Sequence, residues 1–181
     1  MNRFWKEYYI FMETKTNTLK KALTGMILSF ILIVIDQVTK LIAIHGLMDQ
    51  QPFVIWDGVF ELHYLENRGA AFGILQGKKI FFVFFTIVVL CLIAYLYLKR
   101  IPDEKKFRLM DGICILFFAG ALGNFIDRVF RNYVVDFFYF KLIDFPIFNV
   151  ADIYVTVAAF AMIILGLFYY KEEDYNKIFH N

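Results

Sequence analysis

Two cysteines and three histidines are all that this 181-residue chain offers a disulfide framework or a metal. Cys91 and Cys114 lie inside apolar runs, with no CxxC or Cys/His spacing. They read as packed or lipid-facing thiols and leave the redox compartment open. His45, His63 and His180 are scattered, so no metal site and no metal cofactor are expected. No G-x-S-x-G elbow or Ser/His pairing points to a serine hydrolase. Net charge is only +2, and no basic patch is interleaved with aromatics, so a nucleic-acid partner is not expected. Internal repeats and low-complexity tracts are missing as well.

What the chain has in excess is apolar surface. Hydrophobic residues make up 60% of it and aromatics 20%, with 23 Phe. A soluble globular protein carries roughly 45–50% apolar residues, and a chain this short could not bury the surplus. Lipid is the natural solvent. Four apolar runs, Ala22–Ile44, Ile80–Leu98, Leu109–Phe125 and Val150–Tyr170, each approach the roughly 20 residues a helix needs to cross the hydrocarbon core. The third is the weakest and needs its flanks to span.

Lys15, Lys20 and Lys21 precede the first run. Lys99, Arg100, Lys105, Lys106 and Arg108 fill the loop between runs two and three, and Lys171 and Lys177 follow run four. By the positive-inside rule these segments and both termini are cytoplasmic. The first run is too long for a removable signal peptide and lacks a small-residue cleavage site. Residues 1–18 read as a cytoplasmic leader, most simply a disordered tail, 19–170 as the membrane domain and 171–181 as a cytoplasmic tail. Within 46–79, Phe60, Leu62 and Tyr64 alternate with Glu61, His63 and Leu65, a weak strand signal after a Trp56-Asp57-Gly58 turn. A small extended platform on the outer membrane face is expected there.

Ionisable residues are expensive in lipid, roughly 2.5–3.5 kcal/mol at mid-span. Here they gather at the outer ends of the runs. Asp36 and Lys40 share a helix face and form either a structural ion pair or a device that orients the site. In Glu66-Asn67-Arg68-Gly69, Asn67 either makes a plain turn or hydrogen-bonds an extended peptide. Ala119 and Gly123 favour close helix packing. Asn124 and Arg128 share a face, and Arg128 beside Asp127 reads equally as a structural clamp. Asp136 stands among apolar neighbours. Asn149 can cap the fourth helix, but a cap alone does not account for Asp152. The two aspartates are the plausible chemistry. A transporter using intramembrane charges and a non-enzymatic scaffold held by ion pairs are the competing classes.

Five segments taken together resemble the motif set of the lipoprotein signal peptidase (signal peptidase II) family. They are Asp36-Gln37-Val38-Thr39-Lys40, Asn67-Arg68-Gly69-Ala70-Ala71-Phe72, Gly123-Asn124-Phe125-Ile126-Asp127-Arg128, Val135-Asp136-Phe137 and Phe148-Asn149-Val150-Ala151-Asp152. They occur in the family's order and spacing. One departure is Ala119-Gly120 where the family more often has two glycines. The resemblance implies an α-helical integral membrane protein, four transmembrane helices with an extracytoplasmic β-cradle and a short outer helix, fitting 46–79. It implies an aspartyl endopeptidase of the bacterial cytoplasmic membrane, working near the outer face. The substrate is a diacylated prolipoprotein, cut just before its lipidated cysteine. Asp136 and Asp152 would be the catalytic pair, with Asp36, Lys40, Asn67, Gly69, Asn124, Arg128 and Asn149 in support. No cofactor is implied, and a monomer in contact with membrane lipid is expected.

Overall fold

The computed structural model describes residues 3–69 and 77–180. Helix α1 runs Arg3–Leu47, α2 Lys79–Tyr95, α3 Arg108–Phe130, α4 Val150–Phe168 and α5 Glu172–Phe179. Among the described residues, four helices are long and apolar enough to cross a membrane, spanning Lys15–Leu47, Lys79–Arg100, Lys105–Phe130 and Val150–Phe168. The protein is thus a four-span helical membrane protein with a small sheet at one end. The leader is helical from Arg3, as an uninterrupted extension of α1, rather than a disordered tail.

The bundle is amphipathic in the reverse sense from a soluble one. From residue 15 onward the buried positions of α1 are Lys21, Gly25, Ser29, Asp36, Lys40 and Ala43, one stripe of polar and small residues at helical spacing. Its other faces expose Phe30, Ile31 and Ile42. Such a helix is stable only with hydrocarbon outside and polar partners inside. The third span is the least hydropathic and the most buried of the four, because α3 stands at the centre and packs on α1, α2 and α4. Small residues allow the approach. A Cβ on Gly120 would meet the Ala151 carbonyl at 2.5 Å, and one on Gly123 would meet Asp36 Oδ2 at 2.6 Å. Ala119, in the place of the family's more usual glycine, is fully buried without disturbing this contact.

The sheet has three antiparallel strands in the order β1 (Phe53–Trp56), β2 (Phe60–Asn67), β3 (Val134–Tyr139). The expected turn is present, with Gly58 at φ +69° and Val59 N–H donating to the Trp56 carbonyl. The cradle is not confined to 46–79, however. Its third strand comes from beyond α3 and carries Asp136 opposite Leu65. Val134, Val135, Asp136 and Phe137 are all buried, so the run shows no polar/apolar alternation to betray a strand. The implied short outer helix is not seen in 46–69, and residues 70–76 lie outside the described residues.

The opposite end is closed. Lys21 pairs with Asp111 at 2.8 Å, donates to the Ile101 carbonyl and lies over the Tyr97 ring. Tyr97, Phe107, Cys114, Ile115, Tyr170 and Ile178 form a core there. Helix α5 folds the C-terminal tail onto it through Lys106–Asp174 and Lys177–Glu104 contacts. Cys114 is buried and Cys91 faces outward.

Candidate active site

Both sequence-nominated aspartates line one cavity of about 930 Å³ at the sheet end, along with Asn67 and Arg128. Asp136 reaches it from β3 and Asp152 from the first turn of α4. Backbone pairing draws these two elements together, because Phe148 bridges Phe138 immediately before α4 begins. Phe145, Pro146 and Phe148 wall one side, and Ile153 and Val157 extend the wall along α4.

Three asparagines hold the carboxylates. Asn67 Nδ2 donates to Asp136 Oδ2 at 2.9 Å, and Asn149 Nδ2 donates to Asp136 Oδ1 at 2.6 Å. Asn124 Nδ2 donates to Asp152 Oδ1 at 2.8 Å. The remaining Asp152 oxygen accepts the Asn149 backbone N–H, while Asn149 Oδ1 accepts the Asp152 N–H. This is a reciprocal capping box. Capping therefore accounts for one oxygen of Asp152 after all, and leaves the other to Asn124. Burial, reinforced by the nearby Asp152 charge, pushes Asp136 up to about 7, against the pull of Asn67, Asn149 and Lys40.

Asp36 and Lys40 do not reach the cavity, since both are fully buried behind it. Their two readings prove compatible. Lys40 pairs with Asp36 at 3.0 Å and with Asp127 at 3.1 Å, and also donates to Asn124 Oδ1 at 2.8 Å. Asp36 in turn accepts the Ala151 N–H at 2.9 Å, tying α1 to the start of α4. Gly69 is buried, and its N–H donates to Asn67 Oδ1, so it fixes that turn. Its carbonyl accepts from Arg128, whose guanidinium also lies 4.8 Å over the Phe82 ring. Ala70, Ala71 and Phe72 of the same motif lie outside the described residues.

Asp127 does not clamp its neighbour Arg128. It bonds Lys40, Arg131 and the Val135 N–H, anchoring the start of β3. Gln37 and Arg131, which sequence reasoning passed over, complete this inner shell, with Arg131 donating to Gln37 Oε1. The four-residue spacing of Asp127 and Arg131 was the available signal.

A family profile described as Signal peptidase (SPase) II matches residues 28–168. The chain belongs to the signal peptidase II family. It is 40% identical over 153 residues to a lipoprotein signal peptidase of Clostridium tetani, covering 81% of this chain and 94% of the relative. It is 43% identical over 143 residues to a lipoprotein signal peptidase of Streptococcus thermophilus, covering 79% and 90%. Among solved structures, two described as bacterial membrane enzymes superpose with TM-scores of 0.69 and 0.70, at 36% and 37% identity. They cover 80% and 81% of this chain, and 87% and 94% of their own. The signal peptidase II profile takes in both aspartates, all three asparagines and Lys40.

Proposed function

We propose that this chain is an aspartyl endopeptidase that removes the signal peptide from diacylglyceryl-modified bacterial prolipoproteins, cutting just before the lipidated cysteine. The observation that carries this reading is the cavity in which two amide-clasped carboxylates meet at the end of a membrane bundle. One ionised carboxylate takes a proton from water, whose oxygen bonds to the scissile carbonyl carbon. The other, protonated, polarises the carbonyl oxygen. As the C–N bond breaks, the leaving nitrogen receives a proton.

Lys21 before the first span, Lys106 of the loop between the second and third spans and Lys177 after the fourth find their partners at the end opposite the sheet. With that end cytoplasmic, the active site lies near the outer face of the cytoplasmic membrane and both termini lie inside. Residues 1–18 and 171–181 then flank a membrane domain of 19–170. The enzyme works as a monomer, with the acyl chains of its substrate left in surrounding lipid.

Cleavage by the purified protein of a diacylated prolipoprotein, with the product mass read by spectrometry, tests the proposal. A new N-terminus at the lipidated cysteine is expected. Equal cleavage of an unlipidated precursor, or restoration of chelator-inactivated enzyme by zinc, would overturn the substrate or the mechanism respectively.

A further inference from the structure

The geometry points to distinct roles for the two aspartates: Asp152 is the ionised base and Asp136 carries the shared proton. This assignment rests on the aspartyl peptidase reading above.

Every asparagine at the pair is locked in orientation by a group that can only donate. Lys40 ammonium faces Asn124 Oδ1, so the Asn124 NH₂ must face Asp152. The Asp152 N–H faces Asn149 Oδ1, so the Asn149 NH₂ must face Asp136. The Gly69 N–H faces Asn67 Oδ1, so the Asn67 NH₂ must also face Asp136. None of the three can turn to accept a carboxyl proton without losing its own donor.

The locks differ in kind. Asp152, in the first turn of α4, is served through Asn124 by a charged, fully buried ammonium, and by the backbone N–H of the N-cap residue Asn149. A cation polarises the amide chain, and a helix N-terminus favours negative charge. Asp136 is served by two amides whose own locks are neutral peptide groups, and it sits on a strand between buried Val135 and Phe137. Other charged or titratable groups near the pair are Asp36 on α1, Glu66 and His63 on β2, Arg68 just after it, Arg128 and Asp127 on α3, Tyr139 on β3 and Asp144 beyond it. Lys40 and Arg128 lie toward both carboxylates, whereas Asp36 and Asp127 are already paired to Lys40. Ionisation of Asp136 takes place against an Asp152 that is already charged, in accord with its position near 7.

In the forward reaction Asp152 therefore takes the proton of the attacking water. Asp136 hydrogen-bonds the carbonyl oxygen and then gives its proton to the leaving amine. The turn ends with the proton on Asp152 and the charge on Asp136, and one proton transfer between them resets the site. Lys40, through Asn124, is a positioning residue for the base.

The test is the pH profile of kcat/KM on a diacylated substrate for wild type, Asn124→Ala and Asn67→Ala. Removing the Asn124 donor should move the acid limb up by about one pH unit and leave the alkaline limb nearly in place. Removing the Asn67 donor should do the reverse, moving the alkaline limb up. Should Asn124→Ala fail to fold, Asn67→Ala decides alone, because a shift of its acid limb overturns the assignment. The opposite pattern in both variants overturns it while leaving the peptidase standing. Absence of cleavage by folded wild type would overturn the peptidase reading itself.

Discussion

Lys21 and Lys40 lie on one face of α1, and each is buried against an aspartate of α3. Their surroundings differ. Around Lys21 the partners are Asp111, a carbonyl and an aromatic face, and apolar packing closes over them. Around Lys40 one bond is passed on through Asn124 to Asp152, which looks into a cavity. The same pair of residue types thus makes a closed fastener at one end and, at the other, part of a network that reaches a cavity. What separates them is whether the network ends in a closed core or in a group with room for a substrate.

The sharpest way to break this contrast is to neutralise a carboxylate at each end. Asp136→Asn and Asp152→Asn should each lower kcat by about 10²–10⁴-fold or more, in protein that still folds. Asp111→Asn should leave kcat within a few-fold of wild type. A turnover assay on purified variants checks this, and substantial activity in either dyad variant would remove that residue from the chemistry.

Breaking the lysine pairs should separate the ends in another way. Loss of one partner from a buried pair destabilises by about 3–5 kcal/mol, so Lys21→Met and Lys40→Met should both lower Tm. Adding Asp111→Leu to the first should recover Tm and leave activity near normal. Adding Asp36→Leu to the second should leave kcat depressed whatever Tm does, because Asn124 has lost its orienting cation. Full recovery of kcat would reduce Lys40 to a fastener like Lys21.

A gentler distinction is the pH dependence of stability. Asp136 is raised to about 7 in the fold, so the folded state holds a proton that the unfolded chain has lost. That contribution is fully present below the ordinary carboxylate range near 3.9 and disappears as pH rises through about 7. Tm should fall between pH 5 and pH 7.5 in wild type and fall less steeply in Asp136→Asn. The smallest effect belongs to α5. Hydrogen bonds from Lys106 and the Lys171 backbone hold Asp174 below its ordinary range. Asp174→Ala should lower Tm slightly at neutral pH, no longer do so in acid, and leave activity unchanged.

Much of this was legible before any coordinates. The spans, the Trp56–Gly58 turn and β2 follow from local pattern, and Asp36, Lys40, Asn67, Gly69, Asn124, Arg128 and Asn149 all found places near the pair or directly behind it. Strand β3 was hidden because Val134–Phe137 is buried on both faces and pairs with a segment nearly seventy positions earlier. The capping box at Asp152 needed the N–H directions at the start of α4, which spacing suggests but does not fix. Gln37 was missed because Gly123, Asp127 and Arg131 come to it from α3 and its end, far away in sequence, and Arg131 because its four-residue spacing from Asp127 went unused. The leader's Phe4, Trp5, Tyr8, Tyr9 and Met12 recur at helical spacing, a signal that the expectation of a disordered tail passed over.

Lys21 and Lys40 have a mechanical side too. At ~1.5 Å per residue they are two pins about 28 Å apart on one rod. A piston stroke of α1 would shear both pins, and a rotation would swing both ammonium groups away from their carboxylates into hydrocarbon. The rod is therefore fixed in depth and in angle, and cannot serve as the moving part. Whatever opens to admit a substrate has to be carried by other elements, among them the sheet and the Phe140–Phe148 connection, while α1 serves as the datum against which they move.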